Sequence, residues 1–297
     1  MPGASRNTCD AKGLPMAVNT SSNSELTQDE VARILLTPLA ERSTWLGLGT
    51  PLFTSAGQAI HLPKIQSIGT AISHVAEGGT IAAGTATTDE VVLLPSTVYA
   101  IKTILPITNE ARAQSVVNAE AAFTAALTTR VADILDASMW NGSGTGGAPK
   151  GLFGMTGFTN AGTVTAGSLT ADHLYAMDEA YTLQFGGEAS AMWAMHPTRF
   201  TEIRKLENDI GMKLLQPSLS GGAPSTLLGK PYTVTTYAPG TAIALFDRNQ
   251  VATGQGPSSV TILSEFYADT DSIGVRVVSR WDVQPLNAAT IVKKFVT

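Results

Sequence analysis

Three glycines, four histidines and one pair of acids are the residues whose types and spacing could support chemistry. Gly142, Gly144 and Gly147 satisfy G-x-G-x-x-G, the pattern by which a glycine turn lets a pyrophosphate approach a helix N-terminus. That chemistry needs a strand before the motif and a helix after it. Here a helical pattern precedes and a loop containing Pro149 follows, so the spacing predicts a helix-terminating turn and no cofactor. Lys150 lies outside the G-x-x-x-x-G-K spacing of a phosphate loop, and no G-x-S-x-G nucleophile elbow occurs. His61, His74, His173 and His196 are dispersed, without H-E-x-x-H or H-x-H spacing. His173, beside Asp172 in the first turn of a predicted helix, reads as a solvated or capping residue. Asp269 and Asp271 lack the further Asp or Asn that a calcium loop requires, which leaves a charged turn. Cys9 is the sole cysteine, so neither an internal disulfide nor a Cys-based zinc site can form. No catalytic, metal or cofactor residue is expected.

The bulk numbers set the remaining bounds. A chain of 297 residues can bury about three quarters of its unfolded surface, enough for a substantial core divided between two lobes. Apolar residues make up 43% and charged residues 14%, the latter low against a usual share of about 25%. Such a surface suits a protein covered by copies of itself, which composition favours slightly, and also a secreted or heat-stable monomer. The net charge of −5 and the lack of any Lys/Arg run argue against a dedicated nucleic-acid binder, though not against a container whose wall repels DNA. No apolar run is long enough to span a membrane, and no signal-peptide core is evident.

The elements that would have to position any site are organised around one long helix. Val116, Phe123, Leu127, Val131, Ile134 and Leu135 recur at spacings near 3.6 within the Gly- and Pro-free run from Ile107 to Asn141. The helix is narrow, with many alanines, and poor in charge, which predicts neighbours on more than one side. Upstream, 1–24 reads as a polar arm. Thr27 and Glu30 then make a capping box for a short helix with a Val31, Ile34, Leu35 stripe, kinked or ended at Pro38. Ile72–Ala76 and Val91–Leu94 read as strands of a long hairpin beginning near Pro63-Lys64-Ile65, and Thr80–Thr88 carries a single large apolar residue, Ile81. A hairpin with so small a payload cannot fold back on a core of its own. A strand over Val98–Ile107 leads to the long helix. Past the glycine loop, a helix from Thr170 to about Gln184, a buried strand at Ala191–Met195, a helix opened by Pro197, and strands at Tyr232–Tyr237 and Ala242–Phe246 alternate as in an α/β lobe. Two long β segments, Ser272–Val283 and Ala289–Val296, are expected to return beside the helix.

This order of parts resembles the major capsid protein of tailed bacteriophages, the Hong Kong 97-type fold. The matching stretches are His74-Val75-Ala76-Glu77-Gly78, Ile107-Thr108-Asn109-Glu110, Asn141-Gly142 through Pro149-Lys150-Gly151-Leu152, Leu228-Gly229-Lys230-Pro231-Tyr232, and Arg280-Trp281-Asp282 before Ala288-Ala289. The resemblance implies an α+β, Hong Kong 97-like capsid fold: an N-terminal arm (1–58), an extended β-hairpin loop (59–98), a peripheral domain with a long spine helix (99–165), an axial α/β domain (166–257) and returning strands of the peripheral domain (258–297). It implies a structural protein that assembles in the host cytoplasm as hexamers and pentamers into the icosahedral shell of a virion. The shell would enclose double-stranded DNA without sequence preference, with portal, scaffold or decoration proteins as further partners and no membrane. Pro63, Lys64, Val75, Glu77 and Ile81 would form the inter-subunit surface of the extended loop, and Phe123, Leu127, Val131, Ile134 and Leu135 the spine.

Some members of that family weld their subunits through a Lys–Asn isopeptide bond assisted by Glu. This sequence has no Lys between Lys64 and Lys102, no Asn between Asn249 and Asn287 and no Glu after Glu265, so non-covalent contacts are expected instead. A fused scaffold segment is not expected either. Two other readings stay open at this point: an encapsulin-like nanocompartment holding a protein cargo, and a monomeric α/β enzyme or binding protein using Asp269 and Asp271 or His173.

Overall fold

The computed structural model describes residues 37–68, 74–80, 86–110, 119–185, 190–207 and 226–297. The first 36 residues of the expected arm, with the Thr27 and Glu30 capping box, Ile72 of the expected hairpin strand, Ile81 of the hairpin and Val116 of the spine stripe lie outside those residues. In chain order the elements are α1 (Thr37–Arg42), β1 (Leu52–Thr54), β2 (Ile60–Ile68), β3 (Ala86–Leu93), β4 (Ile101–Thr108), α2 (Ala119–Asn141), β5 (Thr159–Val164), α3 (Ala171–Phe185), β6 (Ala191–Met195) and α4 (Pro197–Lys205). They continue with β7 (Thr226–Leu227), β8 (Lys230–Val234), β9 (Ala242–Asp247), β10 (Val251–Gln255), β11 (Ser259–Tyr267), β12 (Ser272–Ser279), β13 (Trp281–Pro285) and β14 (Ile291–Val296).

Continuous apolar runs rather than alternating ones build the centre. β6 and β9 are buried at every residue, as strands covered on both faces must be. They lie in a six-stranded sheet of order β5-β14-β9-β6-β8-β7. Met192, Ala194, Ala244 and Phe246 face the spine helix α2, whose Leu127, Val131, Leu135, Met139 and Trp140 belong to the same core. Ala191, Trp193, Met195, Ile243 and Leu245 face the opposite way, into a second core closed by Leu174, Met177 and Tyr181 of α3 and Ile203 of α4. Two three-stranded sheets, β1-β10-β13 and β11-β12-β4, close the far side of α2. β4 shows the alternation of a half-covered strand: Ile107 is buried, while Lys102, Ile104 and Pro106 are exposed.

The structure corrects several expectations. Residues 74–76 are not strand; the hairpin is made by β2 and β3, paired from Ile60↔Leu93 to Ile68↔Ala86. The stretch 86–88, read as loop, belongs to strand β3. Pro63 sits inside β2, tolerated because a two-stranded ribbon leaves each strand an open edge. Pro38 stands in the first turn of α1, where its missing N–H has no intrahelical partner to lose. The long segment Ser272–Val283 is broken at Arg280, and its halves β12 and β13 belong to different sheets. β14, expected beside the spine with the other returning strands, lies between β5 and β9 in the central sheet. The reason is two-sided burial: Ile291 fills the spine-side core, and Val292 and Val296 fill the other.

Candidate assembly surfaces

The hairpin β2/β3 loses its cover along its length. At its base Leu93 and Leu94 are 0% and 2% exposed. Beyond it His61, Pro63, Thr88, Asp89 and Glu90 are exposed, Lys64 is half-buried, and every residue from His74 to Thr80 is exposed. Val75 is 42% exposed. Glu77 is open to solvent and forms no ion pair among the described residues. Cross-strand contacts are local: His61 Nδ1 lies 3.2 Å from Glu90 Oε2. The exposed described residues of the ribbon gain little from intramolecular burial.

In the spine, Leu127, Val131 and Leu135 form the buried stripe at i, i+4 and i+8. Ile134 is 38% exposed and falls on the open face with Ala126, Arg130, Ala137 and Asn141. The side chain of Phe123 lies outside the described set. Where the arm reaches the body, Asp136 of α2 accepts hydrogen bonds from Ser43 Oγ, Thr44 N (2.7 Å), Thr44 Oγ1 (2.8 Å) and Trp45 N (3.2 Å). A buried carboxylate with four donors is a strong tether. Trp45 and Trp140 pack edge to face at 5.0 Å beside it. Asp133, one turn earlier, accepts the Tyr237 hydroxyl at 2.7 Å. That bond and burial push the Tyr237 phenol up to about 12, so it remains a donor.

The glycine loop turns the chain from α2 back under Tyr99. Tyr99 N donates to Gly147 O at 2.8 Å, and a Cβ at Gly147 would meet the Tyr99 ring at 1.9 Å. At Gly142 a Cβ would meet the carbonyl oxygens of Pro149 and Ser138 at 2.2 and 2.4 Å. Close packing of the loop on itself thus accounts for these glycines. His173, His196 and Asp271 make structural contacts. His173 Nδ1 accepts from Thr170 N at 3.1 Å, His196 caps α4 through Thr198 N at 3.2 Å, and Asp271 holds Asn109 through a side-chain bond of 2.7 Å. Among the described residues no group of three or more His, Cys, Asp or Glu could hold a metal ion, and no helix is long and apolar enough to cross a membrane. An open groove of about 530 Å³ bordered by Ala40, Glu41, Leu46, Thr50, Leu52, Gln255 and Trp281 carries one acid and no partner base, so it offers no acid–base pair.

Two lysines that pattern reading passes over are structural. Lys293, fully buried in β14, donates to Phe153 O (3.1 Å) and Met155 O (2.9 Å) and lies 4.1 Å from the centre of the Phe158 ring. Burial, with a smaller push from the charge on Lys150, lowers its ammonium to about 8. Lys294 reaches Ala161 O at 2.8 Å. Together they tie the segment after the spine to the last strand. The signal in the sequence is the Lys-Lys pair inside an apolar run.

The family model described as the phage capsid family matches residues 24–294. Among solved structures, the capsid of a native GTA particle computed with C5 symmetry is 17% identical, with 86% of this chain and 91% of that chain covered at a TM-score of 0.73. The structure from Microbacterium phage Oxtober96 is 14% identical, covering 86% and 90% at a TM-score of 0.66. That from Mycobacterium phage Cain is 16% identical, covering 92% and 98% at 0.62. At these identities the likeness is one of fold. No curated protein matches the chain.

Proposed function

This chain belongs to the phage capsid family and is a major capsid protein, and from that premise we propose that its subunits join as hexamers and pentamers into a closed icosahedral shell around double-stranded DNA. The observation that carries the assembly reading is the hairpin. His74–Thr80 and much of the described outer part of β2/β3 are exposed, and a second copy would bury them. Pro63, Lys64, Val75, Glu77 and Ile81 are the residues assigned to that contact. The extended loop (59–98) and the part of the arm (1–58) that precedes Thr37 reach neighbours, whereas 37–54 packs on the subunit's own core; the spine and outer sheets form the peripheral lobe, and the six-stranded sheet with α3 and α4 forms the axial lobe facing the capsomer axis. Because β5 and β14 belong to this sheet, the axial lobe draws strands from both flanking stretches of sequence.

The wall encloses the genome without reading it: a net charge of −5 keeps packaged DNA from adhering. Contacts between subunits are non-covalent, the protein performs no catalysis, and assembly takes place in the host cytoplasm before the virion forms. Portal, scaffold or decoration proteins are further partners. The test is electron microscopy of the purified full chain, with the nucleic-acid content of native particles measured in parallel. Closed shells built of capsomers and filled with double-stranded DNA are expected. A stable 30.9 kDa monomer that forms no capsomers at any concentration would overturn the reading.

A further inference from the structure

The turn at the base of the hairpin is held from one side by two residues of a single tripeptide. Arg280 Nε donates to Val98 O at 3.0 Å, and its Nη2 donates to Leu94 O at 3.0 Å and also to Pro95 O. Asp282 Oδ2 accepts from Leu94 N at 2.8 Å while its Oδ1 accepts from Val283 N at 2.8 Å. Positions two apart in extended chain point the same way, and Trp281 between them, 3% exposed, belongs to the spine-side core. So one strand start carries a cation for the turn's carbonyls, an anion for its N–H, and an indole that fixes both to the body.

Leu94, the residue they grip, has φ of 57°, a left-handed conformation that a leucine holds only when its surroundings over-determine it. Its N–H goes to Asp282, its C=O to Arg280, and its side chain packs 3.2 Å from where a Cβ on Gly254 would stand. Asp282 is fully buried, and burial pushes its carboxyl up while the Leu94 and Val283 N–H groups pull it down. Beyond Leu93 the hairpin's main neighbour outside itself is β13, which opens with this tripeptide's Trp281 and Asp282.

We propose that Arg280 and Asp282 are positioning residues that lock the turn 94–98 and thereby set the angle at which the extended hairpin leaves the body. The inference rests on the reading of the hairpin as an assembly contact. A ribbon of this length works as a lever: a small rotation at its base becomes a large displacement at its tip, and hence a different spacing of neighbouring subunits. Arg280 is suited to the task because a planar guanidinium can serve three carbonyls at once, which an ammonium cannot do in the same geometry.

The test uses the full chain with Cys9→Ser, spin labels on cysteines at Thr88 in the hairpin and Thr182 on α3, and a control pair at Asn160 and Thr182 within the body. The unaltered base gives a single narrow distance for both pairs. In Arg280→Ala and in Asp282→Asn the hairpin distribution about doubles in width while the control pair stays narrow, and particles become heterogeneous in diameter. Should Arg280→Ala fail to fold, Arg280→Lys keeps the charge and stem, loses the fork, and carries the measurement. Unchanged hairpin widths in folded variants would overturn the proposal, as would equal broadening of both pairs, which is general loosening. Failure of the assembly reading is separate, because it shows as an absence of shells from the chain with Arg280 and Asp282 intact.

Discussion

The central strands β6 and β9 and the hairpin strands β2 and β3 are both antiparallel pairs rich in apolar and β-branched residues, yet they end in opposite situations. Every residue of β6 and β9 is buried, with Trp193 and Leu245 at 0% exposure. Among the described residues, the hairpin keeps only its root in the core, at Leu93 and Leu94. Strand pairing alone therefore does not distinguish the part that stabilises the subunit from the part that is available to others. What distinguishes them is whether a second layer of the same chain covers the face. The central sheet has one on each side, in α2 and in α3 with α4, while the hairpin has none of comparable extent among the described residues.

Three substitutions would break or sharpen that contrast. The largest effect on the subunit is expected from Trp193→Ala in β6: truncating this fully buried ring, whose Nε1 donates to Leu227 O at 3.1 Å, should cost about 3–5 kcal/mol. Urea unfolding of the unassembled subunit measures it, and a loss below about 1 kcal/mol would mean the central sheet is not the stabilising layer.

The next effect is a pH dependence at Lys293. Its folded value of about 8 lies below the ordinary 10.5, so the unfolded chain binds more protons between those two values. The associated stability is present above about pH 10.5 and is lost as pH falls through about 8, an amplitude of roughly 3 kcal/mol. Lys293→Met removes that slope. The measurement is the difference between the two proteins' unfolding free energies across pH 7–11, which also cancels the opposing titration of Tyr237. Parallel curves would show that Lys293 is not held in a dry site.

The smallest effect on the subunit belongs to the hairpin. Glu77→Lys should change unfolding stability by less than about 0.5 kcal/mol, because the residue is exposed. It should nevertheless reduce particle yield several-fold, since an acid standing alone in an uncharged stretch is placed to meet a cation on a neighbour. Normal yield would make that contact unimportant, and a destabilised monomer would erase the contrast between the two regions.

Much of the body is legible in the residues. The run Ala191–Met195 and the stripe of Leu127, Val131 and Leu135 state their burial through period and length, and Pro197 marks the first turn of α4. The glycine loop is also readable, because a helix before the motif and a proline after it exclude a phosphate turn. The hairpin is legible as a segment with little apolar payload, although its sequence pattern points to strands farther along the chain than β2 and β3. Ile60, Leu62 and Val91 carry a weak alternation that Pro63 and the Thr-rich tract obscure.

By itself the sequence determined the periodic elements and the shortage of internal cover over the extended loop, since these depend on neighbours a few residues away. Only the tertiary structure decided that β14 enters the central sheet, that Arg280 divides one β segment between two sheets, and that Asp136 and Asp282 are tethers. Those outcomes pair residues up to 188 positions apart, as Leu94 with Asp282. A strand's partner is chosen by which faces remain to be buried once the other layers are in place, and that choice leaves no periodic trace in the strand's own residues.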